Sequence, residues 1–355
     1  MLEVLVDGLG VDRIHWGTDW PYLGVQPYPE LIRAVREASF LKNGEAEKII
    51  GAQRPAIHGI IDSGKSTLRK VIMLNQAQIT EYRQNGYTAY PDFLSPDEVT
   101  KLLTETENIT HGNTLANHDK TQMEMEPDQP PNSTKVRRLY EPCTYYPLFK
   151  GLSESEKLLD AVEQLVGSNL LFHYSKLNMK PPEIGSVVEW HQDLSYYPLT
   201  NRDSLAVLFY LDDATAENGC LKMLPGRHEN ALLTHTRDDY FQGRVTEMID
   251  DSNAALVEGR GGTAIFMHCM TPHTSTTNRS NRFRRTLILS YRTADAFPIY
   301  YGEMTNHVEA HTRLVRGHRA QVARFTMTEF PVPQYKEKSA SLYELQERSR
   351  KGQIE

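Results

Sequence analysis

The chain has 355 residues, 39% of them hydrophobic and 24% charged, with a formal net charge of -7 and thirteen histidines. That length buries a core easily and leaves room for two or three domains. No apolar run approaches the ~18 residues of a membrane span, and the acidic balance argues against a nucleic-acid partner, which would need a basic patch.

Residues 1–54 read as one unit. LEVLVDGLG is helix-like, DRIHWGTDWPY is a short strand running into a proline loop, and PELIRAVREASFL is an amphipathic helix begun by Pro29. A further helix, NGEAEKIIGA, ends near a glycine. The unit is too small for a core of its own.

Residues 55–75 form a junction. It contains GIIDSGKST (59–67), which satisfies the phosphate-loop pattern G-x-x-x-x-G-K-[ST] through Gly59, Gly64, Lys65 and Ser66. A phosphate loop follows a buried strand and opens a helix on a parallel sheet. Here only the four residues PAIH precede Gly59 after the last helix, and no second strand ends in a metal-binding acid. The match reads as a linker between two unrelated pieces.

From residue 76 a second unit begins with helix QAQITEYRQNGY. A second helix starts at Ser95-Pro96-Asp97-Glu98, which supplies an N-cap, a proline in the first turn and an acid at the third position. Residues 104–134 are polar, rich in Asn, Thr and Pro and aperiodic, and read as a long surface loop. Short strands then dominate: KVRRLYE, LLFHYSKLNMK, SLAVLFYL, CLKML, GTAIFMH and RTLILSYR, with one helix, SEKLLDAVEQLVG, among them. The expected fold is therefore mainly β, a barrel or sandwich with flanking helices. The charged tail, 331–355, reads as a peripheral helix or frayed end. Cys143, Cys220 and Cys269 are too far apart for a disulfide framework or a thiolate zinc site and read as reduced thiols of a cytoplasmic protein. The N-terminus lacks the basic flank and apolar centre of a signal peptide.

Chemistry concentrates in WHQDLSYYP (190–198). His191 and Asp193 lie two apart, so an extended chain points both side chains the same way. His273 sits where the apolar strand TAIFMH gives way to a polar turn. Two imidazoles and a carboxylate on one face of a divalent ion leave three positions free, the ligand set of non-haem Fe(II) oxygenases. A structural zinc site would want four filled positions. In RFRRTLILSYR (282–292), Arg284, Thr286, Ile288 and Ser290 share one face of a strand. A buried arginine beside a hydroxyl suits a dicarboxylate co-substrate; Arg285, on the other face, reads as a surface charge. Of the other histidines, His268 and His173 read as core packing and His228 as a loop anchor. His307 and His311 read as a solvated helix face, with His318 beyond them. Tyr196, Tyr197 and Arg292 fit either a pocket lining or plain packing.

Two resemblances follow from these motifs. RIHWGTDWPY (13–22) and GEAEKIIGAQ (44–53) resemble the last strand and closing helix of the amidohydrolase TIM barrels, where the aspartate matching Asp19 is an active-site residue. One strand in eight cannot close a barrel, so 1–54 reads as a leftover or fused fragment. Over residues 76–330 the chain resembles the phytanoyl-CoA dioxygenase family of Fe(II)/2-oxoglutarate oxygenases. The motifs that carry this, in order, are NMKPP, WHQDLSYYP, LDDATAENGCLKMLPGRH, FMHCMTPH and RFRRTLILS. The resemblance implies a double-stranded β-helix, or jelly roll. It implies iron at His191, Asp193 and His273, and the far carboxylate of 2-oxoglutarate at Arg284. Further co-substrate contacts are implied from Ser275 and Gln192, and from Lys176 and Asn178 on strand LLFHYSKLNMK. Leu208 stands where the family often has tryptophan. The implied reaction consumes O2 and 2-oxoglutarate, releases succinate and CO2, and hydroxylates a C–H bond of a small substrate. Asp193 favours hydroxylation over halogenation, since related halogenases carry a small residue there. Desaturation, ring closure and demethylation use the same ligands and stay open. So does a cupin-like metal protein, which would need neither Arg284 nor Ser275. Neither the substrate nor the oligomeric state is specified by these residues.

Overall fold

The computed structural model describes residues 74–127, 129–299, 309–335 and 341–354. The amidohydrolase-like stretch, the phosphate-loop match and His307 lie outside the described residues.

Helix α1 (Gln76–Asn85) opens on a reciprocal capping box between Asn75 and Gln78 and stops at Gly86, whose φ of 81° puts it in the left-handed region. Strand β1 (Tyr87–Tyr90) leads to α2 (Pro96–Thr110), capped by Ser95 and Glu98 as its sequence predicts. Strands β2 (Met123–Met125) and β3 (Val136–Tyr140) follow. The stretch 104–134 thus differs from the loop expected: α2 runs to Thr110, and β2 pairs with β3. The alternation in β2 is too short to register as periodicity, but Met123 and Met125 are both buried. Short helices α3 (Pro142–Tyr145) and α4 (Pro147–Ser153) precede the longer α5 (Glu156–Val166). The β-rich remainder comprises β4 (Leu170–Lys180), β5 (Val188–His191), β6 (Ser204–Tyr210), β7 (Leu221–Met223), β8 (Thr236–Arg237), β9 (Tyr240–Phe241), β10 (Ala255–Val257), β11 (Ala264–His268), β12 (His273–Ser275), β13 (Arg284–Thr293) and β14 (Arg313–Arg316). Helix α6 (Leu342–Arg350) closes the described chain.

The strands form two main sheets. The larger has the order β1-β11-β6-β13-β4-β3-β2, with β14 also on β4; the smaller runs β10-β7-β12-β5. All their ladders are antiparallel. Successive side chains of a strand point to opposite faces, and here both faces of the large sheet are covered. Leu205, Val207 and Phe209 of β6, with Leu287, Leu289 and Tyr291 of β13, pack outward with Leu102, Phe149 and Leu158 of the helices. Ala206, Leu208, Tyr210 and Ile288 pack inward with Leu221, Met223 and Val257 of the small sheet. That double burial is why SLAVLFY reads as a continuous apolar run rather than an alternating one. The arrangement is the mainly β jelly roll with flanking helices that the sequence predicts.

The C-terminal tail is not peripheral. Leu342, Tyr343 and Leu345 are buried, and Tyr343 meets two guanidiniums, with the Cζ atoms of Arg137 and Arg138 each 4.6 Å from its ring centroid. Ser341 Oγ donates to Glu124. The acids and bases that make the tail look solvated occupy one side of α6; the apolar side faces the barrel.

Candidate functional site

β5 and β12 are neighbours in the small sheet, and His191 and His273 are register partners across their ladder. Their ring centroids lie 4.1 Å apart. The chain leaves β5 at His191, and Asp193 opens a single turn of 3-10 helix. Gln192 between them is extended, so His191 and Asp193 are aimed together by a strand end that runs into a turn. His273 likewise begins strand β12 rather than lying in a turn. One ligand atom from each of His191, Asp193 and His273 falls within 4.8 Å of the other two, and all three residues are buried.

The tautomers follow from the hydrogen bonds. His191 Nδ1 donates to the Glu189 carbonyl at 2.8 Å and His273 Nδ1 to the Thr271 carbonyl at 3.0 Å. A carbonyl can only accept, so each Nε2 is left with its lone pair facing the cluster, the state a metal requires. Burial holds both imidazoles below their usual pKa, His191 well below, with the mutual proximity of His273 adding to it. Neutral imidazoles and a carboxylate around one point suit a divalent cation.

A small cavity extends from this cluster between the sheets. Its lining includes Lys176, Asn178 and Lys180 of β4, Arg284, Thr286 and Ile288 of β13, Leu208, Ser275, and Leu342 and Tyr343 of the tail. Arg284 is 3% exposed. Its Nη1 donates to Thr286 Oγ1 and its Nη2 to the Gly219 carbonyl, both at 2.7 Å, while Nε has no partner. A buried guanidinium with an idle donor beside a cavity is a fitting carboxylate anchor. The Gly219 that accepts from it has φ 77°, and a Cβ there would sit 2.3 Å from the Thr276 carbonyl. The Asn-Gly turn therefore also sets the arginine's position.

One expected contact needs correction. Gln192 is fully buried, with its Nε2 donating to the Met270 carbonyl at 2.7 Å and its Oε1 accepting from Leu233 N–H at 2.8 Å. Its amide is consumed in tying two loops beneath the triad, and it is absent from the cavity lining. It alternates with His191 and Asp193, so it points away from what they point toward. Lys176 does face the cavity, but it pairs with Ile288, four residues from Arg284. Asn178 lies between, with its Oδ1 accepting from Arg138 Nε at 2.9 Å.

The remaining candidates divide cleanly. His268 Nδ1 accepts from Met270 N–H at 3.1 Å, and its ring lies against Tyr82 and His228, so it is core. His173 is fully buried beside Glu309, at 3.2 Å. Arg292 forms a two-bond ion pair with the same Glu309 at 2.8 Å and does not line the cavity. Arg285 is paired with Asp212 on the outer face. Tyr196 packs edge-on against His191 and donates to the Gly243 carbonyl. Tyr197 packs edge-on against His173 and Tyr174. His318 is exposed. Sequence reasoning missed Lys180, Leu342 and Tyr343. Lys180 shares the Lys176–Asn178 face and was findable by alternation; the others are brought to the site by distant segments.

Comparison with known proteins identifies a family and several relatives. A family model described as phytanoyl-CoA dioxygenase (PhyH) matches residues 82–286. A probable alpha-ketoglutarate-dependent hypophosphite dioxygenase of Stutzerimonas stutzeri is 33% identical over 229 residues, covering 62% of this chain and 80% of the relative. A methylphosphonate hydroxylase of Gimesia maris is 28% identical over 218 residues, covering 61% and 80%. Among solved structures, EctD from S. alaskensis with bound Fe superposes with a TM-score of 0.56 at 22% identity, over 70% of this chain and 88% of that one, which supports the fold.

Proposed function

The chain belongs to the phytanoyl-CoA dioxygenase family and is an Fe(II)- and 2-oxoglutarate-dependent dioxygenase, and from that premise we propose which residues carry the reaction. His191, Asp193 and His273 hold the iron through Nε2, carboxylate and Nε2. Arg284 anchors the far carboxylate of 2-oxoglutarate through its idle donors, with Ser275 and Asn178 lining the same pocket. The observation that carries the reading is the buried guanidinium with an unpartnered Nε on the same cavity as two imidazoles whose lone pairs converge.

When bound, the iron with 2-oxoglutarate and O2 supplies the oxidising power for C–H hydroxylation. The chain's own residues do the rest. Glu189 and Thr271 carbonyls fix the imidazole tautomers. Gln192 and His235 brace the turn between His191 and Asp193, since the Gln192 N–H donates to His235 Nε2 at 3.1 Å. Leu208, Ile288, Leu342 and Tyr343 give the cavity its apolar walls and keep bulk water from the reacting groups. We further propose a small-molecule substrate in a cytoplasmic enzyme with neither nucleic-acid nor membrane partners. The net charge of -7 and three buried free cysteines support this, and among the described residues no helix is long and apolar enough to cross a membrane. The small oxygenase substrates named for the two relatives support a small one here. Residues 1–54 are proposed to be dispensable, because every residue of the proposed site comes from elsewhere in the chain.

Anaerobic titration with Fe(II) and then 2-oxoglutarate tests the assignment through the metal-to-ligand absorption band. The wild-type protein should develop the band, and His191→Ala and His273→Ala should not. A wild-type protein without it, or a band that survives in His191→Ala, would sink the proposal.

A further inference from the structure

The inner face of the large sheet carries more positive charge than iron and 2-oxoglutarate use. Arg138 of β3 pairs in register with Asn178, Lys180 of β4 with Arg284, and Lys176 with Ile288. Lys176, Lys180 and Arg284 line the cavity, and Arg138 is buried. Their partners, however, differ. Lys180 Nζ is engaged by three carbonyls, those of Ser186 at 2.7 Å, Ser275 at 3.4 Å and Thr276. Arg284 is the proposed co-substrate anchor. Arg138 gives Nε to Asn178 and keeps Nη1 3.9 Å from Glu124, but Nη2 is buried with no partner.

Lys176 makes no hydrogen bond or ion pair among the described residues; its Nζ lies 5.5 Å from the ring of Tyr174. The nearby acids do not neutralise it. Asp193 belongs to the metal cluster. Glu124 already takes Arg137, Tyr140 and Ser341. Glu141 is pushed up to about 8 by burial and accepts from Ser175, so it is neutral at pH 7. Lys176 is half-buried, and an ammonium facing a cavity without an anion partner is costly.

Position separates this charge from the co-substrate. Lys176 stands four residues along β4 from Lys180, the register partner of Arg284, a run of roughly 13 Å at strand spacing. A five-carbon diacid held at Arg284 and reaching the triad is well short of that. Lys176 is close enough to the triad that its charge is felt by Asp193, His191 and His273.

We infer that the oxidised substrate is itself a small oxyanion, gripped by Lys176. This rests on the dioxygenase reading and adds the substrate's charge class. A point-charge ammonium suits phosphonyl, phosphinyl or carboxylate oxygens, and the small cavity, lined also by Leu342 and Tyr343, admits only a compact one.

The test uses the full chain loaded anaerobically with Fe(II) and 2-oxoglutarate. Methylphosphonate, hypophosphite and acetate are titrated by calorimetry against methanesulfonamide, a neutral tetrahedral isostere. At least one oxyanion should bind at least about tenfold tighter than the amide, and Lys176→Met should weaken it roughly ten- to hundredfold. The 2-oxoglutarate midpoint of the absorption band should stay unchanged in that variant. Lys176→Gln serves as a second variant that keeps a donor without the charge and should fall with Met. The inference is overturned if no oxyanion binds, if the amide binds equally well, or if Lys176→Met shifts the 2-oxoglutarate midpoint instead. A wild-type protein with no band at all overturns the dioxygenase reading together with it, so the two failures are told apart.

Discussion

Arg284→Ala removes the guanidinium proposed to hold the far carboxylate of 2-oxoglutarate. Two of its donors are committed to Thr286 and Gly219, and Nε is idle, so the group is already oriented before any ligand arrives. A hydrogen bond to a charged partner is worth about 1.5–3 kcal/mol, and two of them in a buried site give roughly 3–5 kcal/mol, the range for breaking a buried charge pair. At about 1.4 kcal/mol per factor of ten, the 2-oxoglutarate dissociation constant should rise from a hundredfold to a few thousandfold. Arg284→Lys, which keeps the charge and loses the fork, should fall between. The assay is the 2-oxoglutarate titration of the anaerobic absorption band, checked by the KM from succinate release. Arg285→Ala is the control, because its guanidinium is spent on Asp212 and its midpoint should not move. A midpoint in Arg284→Ala within about threefold of wild type would refute the reasoning, since a single charged hydrogen bond already exceeds that.

Three further outcomes follow from the same geometry. Gly219→Ala should raise the 2-oxoglutarate KM and lower the urea midpoint together, because the left-handed φ and the 2.3 Å approach to Thr276 displace the carbonyl that aims Arg284; an unchanged KM would separate the turn from the site. The metal-free protein should lose stability on acidification. Burial lowers His173 and His235 to about 4 and His268 to about 3, so their contribution is complete above the unfolded value of 6.5 and is lost as pH falls toward 4. Each costs up to about 1.4 kcal/mol per pH unit. Glu141, raised to about 8, works in the opposite sense and cancels one of them. The urea midpoint should therefore fall clearly between pH 7 and 5, and a flat or rising profile would count against it. Tyr343→Ala should destabilise by about 3–5 kcal/mol, the cost of truncating a buried aromatic together with two cation–π contacts; a loss under about 1 kcal/mol in urea unfolding would mean α6 is not docked as described.

How much was legible in the sequence depended on how local the determining physics is. Strand alternation in LLFHYSKLNMK and RTLILSYR is a property of neighbouring residues, and it placed Lys176, Asn178, Arg284 and Thr286 on cavity-facing sides without any tertiary information. The capping residues Ser95 and Glu98 announced α2 for the same reason. Ligand chemistry, two imidazoles and a carboxylate, was likewise readable from His191, Asp193 and His273 as residue types. What the chain alone could not decide was how distant segments meet. Alternation by itself would have cleared Gln192 of a co-substrate role, but only the fold shows its amide held by Met270 and Leu233. The mixed polar sequence of the tail hid Leu342 and Tyr343, because an amphipathic face acquires meaning only against the surface it covers. The uncompensated charge of Lys176 belongs to the same class. Whether a lysine is paired is settled by every strand packed around it, and only the assembled barrel shows that no anion of the described residues reaches it.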